Sequence, residues 1–267
     1  MAAAKAHQRA CDLLATQRPL TVQEREFVLR HWQESQNSTT VTTLAGAFFT
    51  PLDLAKDLAL YVSGAVRLID LGAGIGALAW AAYRNMVAGY LSPPHVEIVC
   101  VERNPEYVAV GRRVLPEAEW ICADLFALPD DLRDFDVAVS NPPFGRTPRS
   151  GRGPRYTGRC TEYHVIDVAA DLARRGVFLV PQTSAPFRYS GTPDHRWDRS
   201  AEYLRFAQQT GIVLEFNCGI DTAIYPGWRG VRPTVEIVTC DFTERRTSRE
   251  LRLPPPDEQG QLALLAA

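Results

Sequence analysis

"VRLIDLGAGIGALAWAAYRNMVAG", residues 66–89, joins an apolar run to a glycine-spaced turn and then to a stretch with helical periodicity. The run at 66–72 is apolar apart from Arg67 and Asp70 and ends in glycine. An apolar run this short, bounded by a turn, reads as a strand covered on both faces. Gly72, Gly74 and Gly76 then follow the spacing Gly-x-Gly-x-Gly. Glycines between a strand and a helix let the chain turn tightly and let a ligand reach the backbone. The spacing differs from the Gly-x-Gly-x-x-Gly dinucleotide fingerprint.

Working outward, the same alternation continues. Strands are expected at 96–102, 119–124, 135–141, 176–181, 212–217 and 234–242, and helices at 75–89, 105–115, 162–175 and 200–210. Before them, 51–62 has helical spacing with Pro51 at a favourable first-turn position. Residues 1–35 read as one or two helices, the second started by a Thr21/Glu24 capping box, and "SQNSTTVTT" (35–43) as a polar linker. This divides the chain into an N-terminal helical extension (1–45), an α/β domain (46–243) and a tail (244–267) that carries "PPP". Alternating β and α with apolar strands means a mostly parallel sheet with helices on both faces. Ligands of such sheets bind at the carboxyl ends of the strands. Those ends carry Asp70 to Gly76, Glu102, Asp124 and Asn141 to Phe144.

Composition narrows the possibilities. The 267 residues are 46% hydrophobic and 22% charged, ordinary for a globular chain. No apolar run approaches the roughly 18 residues of a membrane span. The N-terminus lacks a signal-peptide core, so a cytoplasmic location is expected. None of the six cysteines forms a Cys-x-x-Cys pair and the five histidines show no ligand spacing, so no metal is expected. Against a formal net charge of −2, Arg146, Arg149, Arg152, Arg155 and Arg159 sit in one loop without an acidic residue. That polarity suits phosphate backbones. The length and composition of the loop suggest mobility without ligand.

Each rim residue has two readings by itself. Glu102 suits the hydroxyls of a ribose, or could cap the helix that begins near Asn104 and Pro105. Asp124 suits an amino group, or a turn. The tetrapeptide Asn141-Pro142-Pro143-Phe144 is more particular. It places an amide, a rigid turn and an aromatic ring at the end of a buried strand.

Together these positions resemble the S-adenosylmethionine-dependent methyltransferases of the Rossmann-like class I type, with a seven-stranded sheet. "NPPF" resembles the (Asn/Asp/Ser)-Pro-Pro-(Tyr/Phe) motif of the amino-methyltransferases, and "AFFTP" (47–51) the Phe-x-x-Pro segment of DNA adenine-N6 enzymes. The likeness spans about residues 47–242. It implies that S-adenosyl-L-methionine is held by Phe49, Thr50, Pro51, Asp70, Gly72, Gly74, Gly76, Glu102 and Asp124. It implies catalysis by Asn141 and Pro142, whose oxygens would accept from an exocyclic amine, with Pro143 fixing the turn and Phe144 stacking on a flipped base. Tyr225, with Trp228 behind it, is the candidate second aromatic, and Arg229 and Arg232 could extend the arginine surface.

Three substrates fit the resemblance. Adenine N6 in DNA is favoured by "FFTP", with weak or partner-dependent sequence specificity, as in restriction-modification. Adenine in structured RNA comes second and a protein glutamine amide third. A non-catalytic binding module is the reading from another class.

Overall fold

The computed structural model describes residues 2–34, 48–88, 95–216, 219–228 and 233–243. The 35–43 linker, Cys218, Arg229, Arg232 and the 244–267 tail lie outside them. Two helices open the chain, α1 (Ala2–Ala15) and α2 (Val22–His31), and α3 (Leu52–Leu58) runs into a 3-10 turn at Ala59–Val62. Thr21 and Glu24 form the anticipated capping box on α2.

The alternating part follows as β1 (Arg67–Leu71), α4 (Ala77–Met86), β2 (Glu97–Glu102), α5 (Pro105–Val114), β3 (Glu119–Cys122) and β4 (Phe135–Ser140). Then come α6 (Thr161–Leu172), β5 (Ala173–Pro181), the short strands β6 (Phe187–Arg188) and β7 (Arg196–Trp197), α7 (Ala201–Thr210), β8 (Glu215–Phe216) and β9 (Val235–Asp241). Asn104 caps α5 through its side chain, with Pro105 at the first helical position. The cap reading of Glu102 therefore falls to its neighbour.

Seven strands form one sheet in the order β3-β2-β1-β4-β5-β9-β8. β1 pairs in parallel with β2 on one side and β4 on the other, and β9 runs antiparallel between β5 and β8. The strand order reverses between β1 and β4, which is where a doubly wound sheet opens a crevice for ligand.

Strand residues alternate between two cores. Leu68 of β1, Ile98 of β2 and Val137 of β4 pack with α1 to α5, while Ile69, Val99 and Ala138 pack with α6 and α7. With both faces covered, the strands had to be nearly all apolar. α1 and α2 contribute Ala10, Val28, Leu29 and Trp32 to the first of these cores. Arg25 pairs with Glu117 at 2.8 Å and Lys56 with Glu26 at 2.8 Å, tying α2 to both α5's end and α3.

Three element readings need correction, and one element was missed. The helix expected to reach 175 stops at Leu172, because Ala173 and Arg175 extend β5 backward in register with Phe135 and Val137. β3 ends at Cys122, leaving Asp124 in the following turn. Of the strand expected over 212–217, the described residues form only Glu215–Phe216, an edge whose one partner among them is β9. The β6–β7 hairpin was not anticipated.

Candidate active site

At the β1–β4 crevice the three loop glycines adopt φ values of 73°, 57° and 92°. Side chains are strained in that region. The turn is anchored by Gly72 and Ala73, whose N–H groups donate to Val101 O at 2.9 and 3.0 Å. Gly74 N–H turns instead to Glu102 Oε2 at 2.9 Å, and Glu102 Oε1 accepts from Asn104 N at 2.7 Å. Burial raises the Glu102 pKa despite these two donors.

Asp70 is buried at the end of β1. One carboxylate oxygen accepts from Ala79 N at 3.1 Å in the first turn of α4, while Oδ1 has no partner among the described residues. Desolvation pushes its pKa up to about 8. Asp124 accepts from Phe126 N at 2.9 Å and from the Ser150 hydroxyl.

The Asn-Pro-Pro-Phe turn leaves β4 beside this loop. Asn141 Nδ2 donates to Phe48 O at 2.8 Å and to Thr50 Oγ1 at 3.0 Å. A carbonyl cannot donate, so Phe48 determines which end of the amide faces inward. Among the described residues Oδ1 is left buried and without a partner. A buried acceptor costs roughly 1–3 kcal/mol while unpaired. Pro142 is buried, Pro143 borders the cleft, and the Phe144 ring lies 5.8 Å from that of Phe48.

A cleft of about 260 Å³ brings these groups together, lined by Gly72, Gly74, Glu102, Asp124, Asn141 and Pro143 among others. A smaller adjoining cavity is lined by Phe49, Thr50, Asp70 and Asn141. Phe49 backs the cleft, its ring 5.2 Å from Tyr107 and 6.0 Å from Trp32. Pro51 stands at the N-cap of α3. Gly76 caps α4 and lines neither cavity.

Two side-chain roles change. Tyr225 is buried and its hydroxyl donates to Asp57, so it packs against α3 rather than offering a face to a substrate. Arg155 is bound within the fold: Nε donates to Asp167 at 2.7 Å and Nη1 to Asp171 at 2.7 Å. The arginine loop is not the loose segment its composition suggested. Tyr156 is completely buried there, and a ladder of bonds ties the loop to α6 and α7.

Two contributors escaped sequence reasoning. Phe48 acts through its carbonyl, which no side-chain pattern reveals. Glu162 looks like an ordinary first-turn acid, yet it is completely buried. It accepts from Gly145 N at 2.8 Å and from the Ser184 hydroxyl at 2.6 Å, while Thr161 N donates to Gly145 O at 2.8 Å. The first turn of α6 thus grips both backbone groups of the residue after Phe144. Acid at that spacing after a Pro-Pro turn was the available signal.

Among the described residues no cluster of metal-ligating side chains occurs, and no helix is long and apolar enough to cross a membrane.

No protein-family model matches the chain. The tRNA1(Val) (adenine(37)-N6)-methyltransferase of Enterobacter sp. (strain 638) is 29% identical over 133 residues, covering 45% of this chain and 51% of that protein. The chain thus matches about half the length of this curated relative. Among solved structures, a proposed RNA methyltransferase from Pyrococcus horikoshii aligns with a TM-score of 0.51 and 18% identity, over 82% of this chain and 97% of that one. The modification subunit of a proposed type I restriction enzyme from Vibrio vulnificus YJ016 aligns with a TM-score of 0.54 and 12% identity, over 86% of this chain and 51% of that one. The chain has the Rossmann-like methyltransferase fold.

Proposed function

We propose that this chain is an S-adenosylmethionine-dependent methyltransferase acting on the exocyclic N6 amino group of adenine in nucleic acid. The observation that carries the reading is the Asn141 amide, whose nitrogen is tied to Phe48 and Thr50 while its oxygen is buried and unpaired at the cleft. The oxygen is aimed and waits for a donor.

An adenine N6 amine supplies such a donor. Its lone pair is delocalised into the ring, so it is a poor nucleophile. An acceptor that takes a hydrogen bond from N6 favours a tetrahedral nitrogen and frees the lone pair. Because the amide is already fixed, no reorganisation is needed as charge develops. Phe144 borders the same turn and offers a ring to an extruded base.

The residues present fit the cofactor. Its methyl group, activated on a positively charged sulfur, is the electrophile. Asp70 Oδ1, buried and unpaired, suits a cationic ligand, and the glycine turn brings backbone close to the cleft. Glu102 and Asp124 border the cleft with acceptors suited to ribose hydroxyls and to an adenine amino group.

Adenine in DNA is the substrate that the "FFTP" likeness favours, with a separate specificity partner supplying sequence selection. Adenine in structured RNA is the second reading, favoured by the similarity to a tRNA-modifying enzyme. The test is transfer of labelled methyl to duplex DNA, tRNA and ribosomal RNA in parallel, followed by digestion and identification of the nucleoside. N6-methyladenine is expected in one of them, and its absence from all three overturns the reading. Asn141→Ala should lower transfer by roughly 10²- to 10³-fold, as for loss of one preorganised polar group. Its affinity for adenosylhomocysteine should stay unchanged.

A further inference from the structure

The loop 146–160 carries its arginines in two structural classes. Arg149 and Arg155 point inward. Arg149 donates to the carbonyls of Arg159 and Gly158 at 3.2 and 3.3 Å, and Arg155 grips Asp167, Asp171 and the Asp167 carbonyl. Asp167, completely buried, also accepts from the backbone N–H groups of Arg155 and Tyr156 at 2.6 and 2.8 Å. His164, also completely buried, accepts from Gly153 N at 3.0 Å through Nδ1. Its Nε2 then carries the proton and donates to Gly158 O at 3.0 Å. Two side chains of α6 therefore hold four backbone groups of the loop.

Arg146, Arg152 and Arg159 are exposed, and none of their side chains has a hydrogen bond or ion pair with the described residues. No acidic residue interrupts them in the loop. Thr147, Pro148, Arg149 and Ser150 of the same loop border the cleft that contains Asn141. Three free guanidiniums are thus mounted on a stiff support at the mouth of the site.

We propose that Arg146, Arg152 and Arg159 form the phosphate-contacting surface for the nucleic-acid substrate, and that Arg149 and Arg155 serve only to hold that surface in shape. The inference rests on the proposed function for the nature of the substrate. Guanidinium is matched in geometry to phosphate oxygens. Because the backbone under these side chains is already tied down, binding does not bear the cost of ordering it.

The test separates the classes by salt. Binding of a labelled RNA hairpin and of a labelled DNA duplex is followed by fluorescence anisotropy as a function of potassium chloride. Each lost phosphate contact lowers the slope of log K against log salt by about 0.7 to 0.9. The triple variant Arg146→Ser/Arg152→Ser/Arg159→Ser should therefore lose about 2 to 3 units of slope. Arg155→Ser should keep the wild-type slope and instead become susceptible to proteolysis within 146–160. An unchanged slope in the triple variant overturns the proposal, as does loss of a full unit in Arg155→Ser. Wild-type binding to neither nucleic acid, with an acidic peptide bound instead, overturns it too. Failure of the methylation reading is seen separately: wild-type protein would transfer no methyl while the slopes still divide as described.

Discussion

Replacing Glu162 by alanine would test whether the Asn-Pro-Pro-Phe turn depends on a carboxylate that lines no cavity. The side chain is completely buried and holds Gly145 N and the Ser184 hydroxyl at 2.8 and 2.6 Å. Removing it strands two buried donors, at roughly 1–3 kcal/mol each. Ser184 can rotate its hydroxyl and recover part of the loss, whereas the Gly145 N–H is fixed by a φ of 72°. The net loss is then about 2–5 kcal/mol. For a chain of this size that is a fall in Tm on the order of 5–15 °C. Gly145 directly follows Phe144, so a freed turn also moves the proposed amine site, and a shift near 1 Å costs about 10²-fold in rate. Glu162→Gln should retain most of the rate. Its oxygen can serve Gly145 while its amide donates to Ser184 Oγ. It also removes a carboxylate whose pKa burial has already raised. The assay is thermal unfolding beside single-turnover methyl transfer, run well below each variant's Tm with saturating substrate. A folded alanine variant within about twofold of wild type would refute the bracing role. So would a glutamine variant that falls as far as alanine.

Two further outcomes follow from the same reasoning. Asp70 has a folded pKa of about 8 against an ordinary 3.8, so between those values the unfolded chain binds fewer protons than the folded one. Its neutral form favours folding at low pH, and that advantage is lost as pH rises toward 8. Asp70→Asn should flatten the Tm profile of the ligand-free protein across that window, with the gain over wild type largest above pH 8, and weaken cofactor binding by calorimetry. Gly111→Ala places a methyl group 2.1 Å from Trp120 Cη2. The overpacking cost of about 1–3 kcal/mol outweighs the roughly 1 kcal/mol of better helix propensity. Urea melts should show net destabilisation, and a stabilised variant would mean that α5 shifts freely.

The fold was legible because covered parallel strands leave a compositional mark. Leu68 and Ile69 must both be apolar when one faces α4 and the other α6, and glycines must end β1 where φ turns positive. Limits of elements were less legible. Arg174 and Arg175 suit a helix end as well as a strand start, and the registered partners in β4 and β9 decide. The candidate site was legible where a side chain itself lines the cleft, as for Asn141. It was obscure where chemistry passes through backbone or through burial. Arg155 and Arg159 are alike in the sequence, and Asp167 and Asp171, on a helix twelve or more residues beyond Arg155, distinguish them. Tyr225 carried an aromatic ring into a plausible loop, but Asp57, distant in sequence, claimed its hydroxyl.

β9 lies inside the sheet by position but comes last among the described strands by sequence. Until residues 235–241 have been synthesised, β5 presents one bare edge made of Val177, Phe178, Leu179 and Val180. Such an edge is a template for any other extended chain. The newborn protein therefore has an interval, set by the translation of some fifty residues, in which its stickiest strand is uncovered. Synthesis rate and chaperone supply over that interval, rather than the equilibrium stability of the finished domain, would then govern the yield of folded protein.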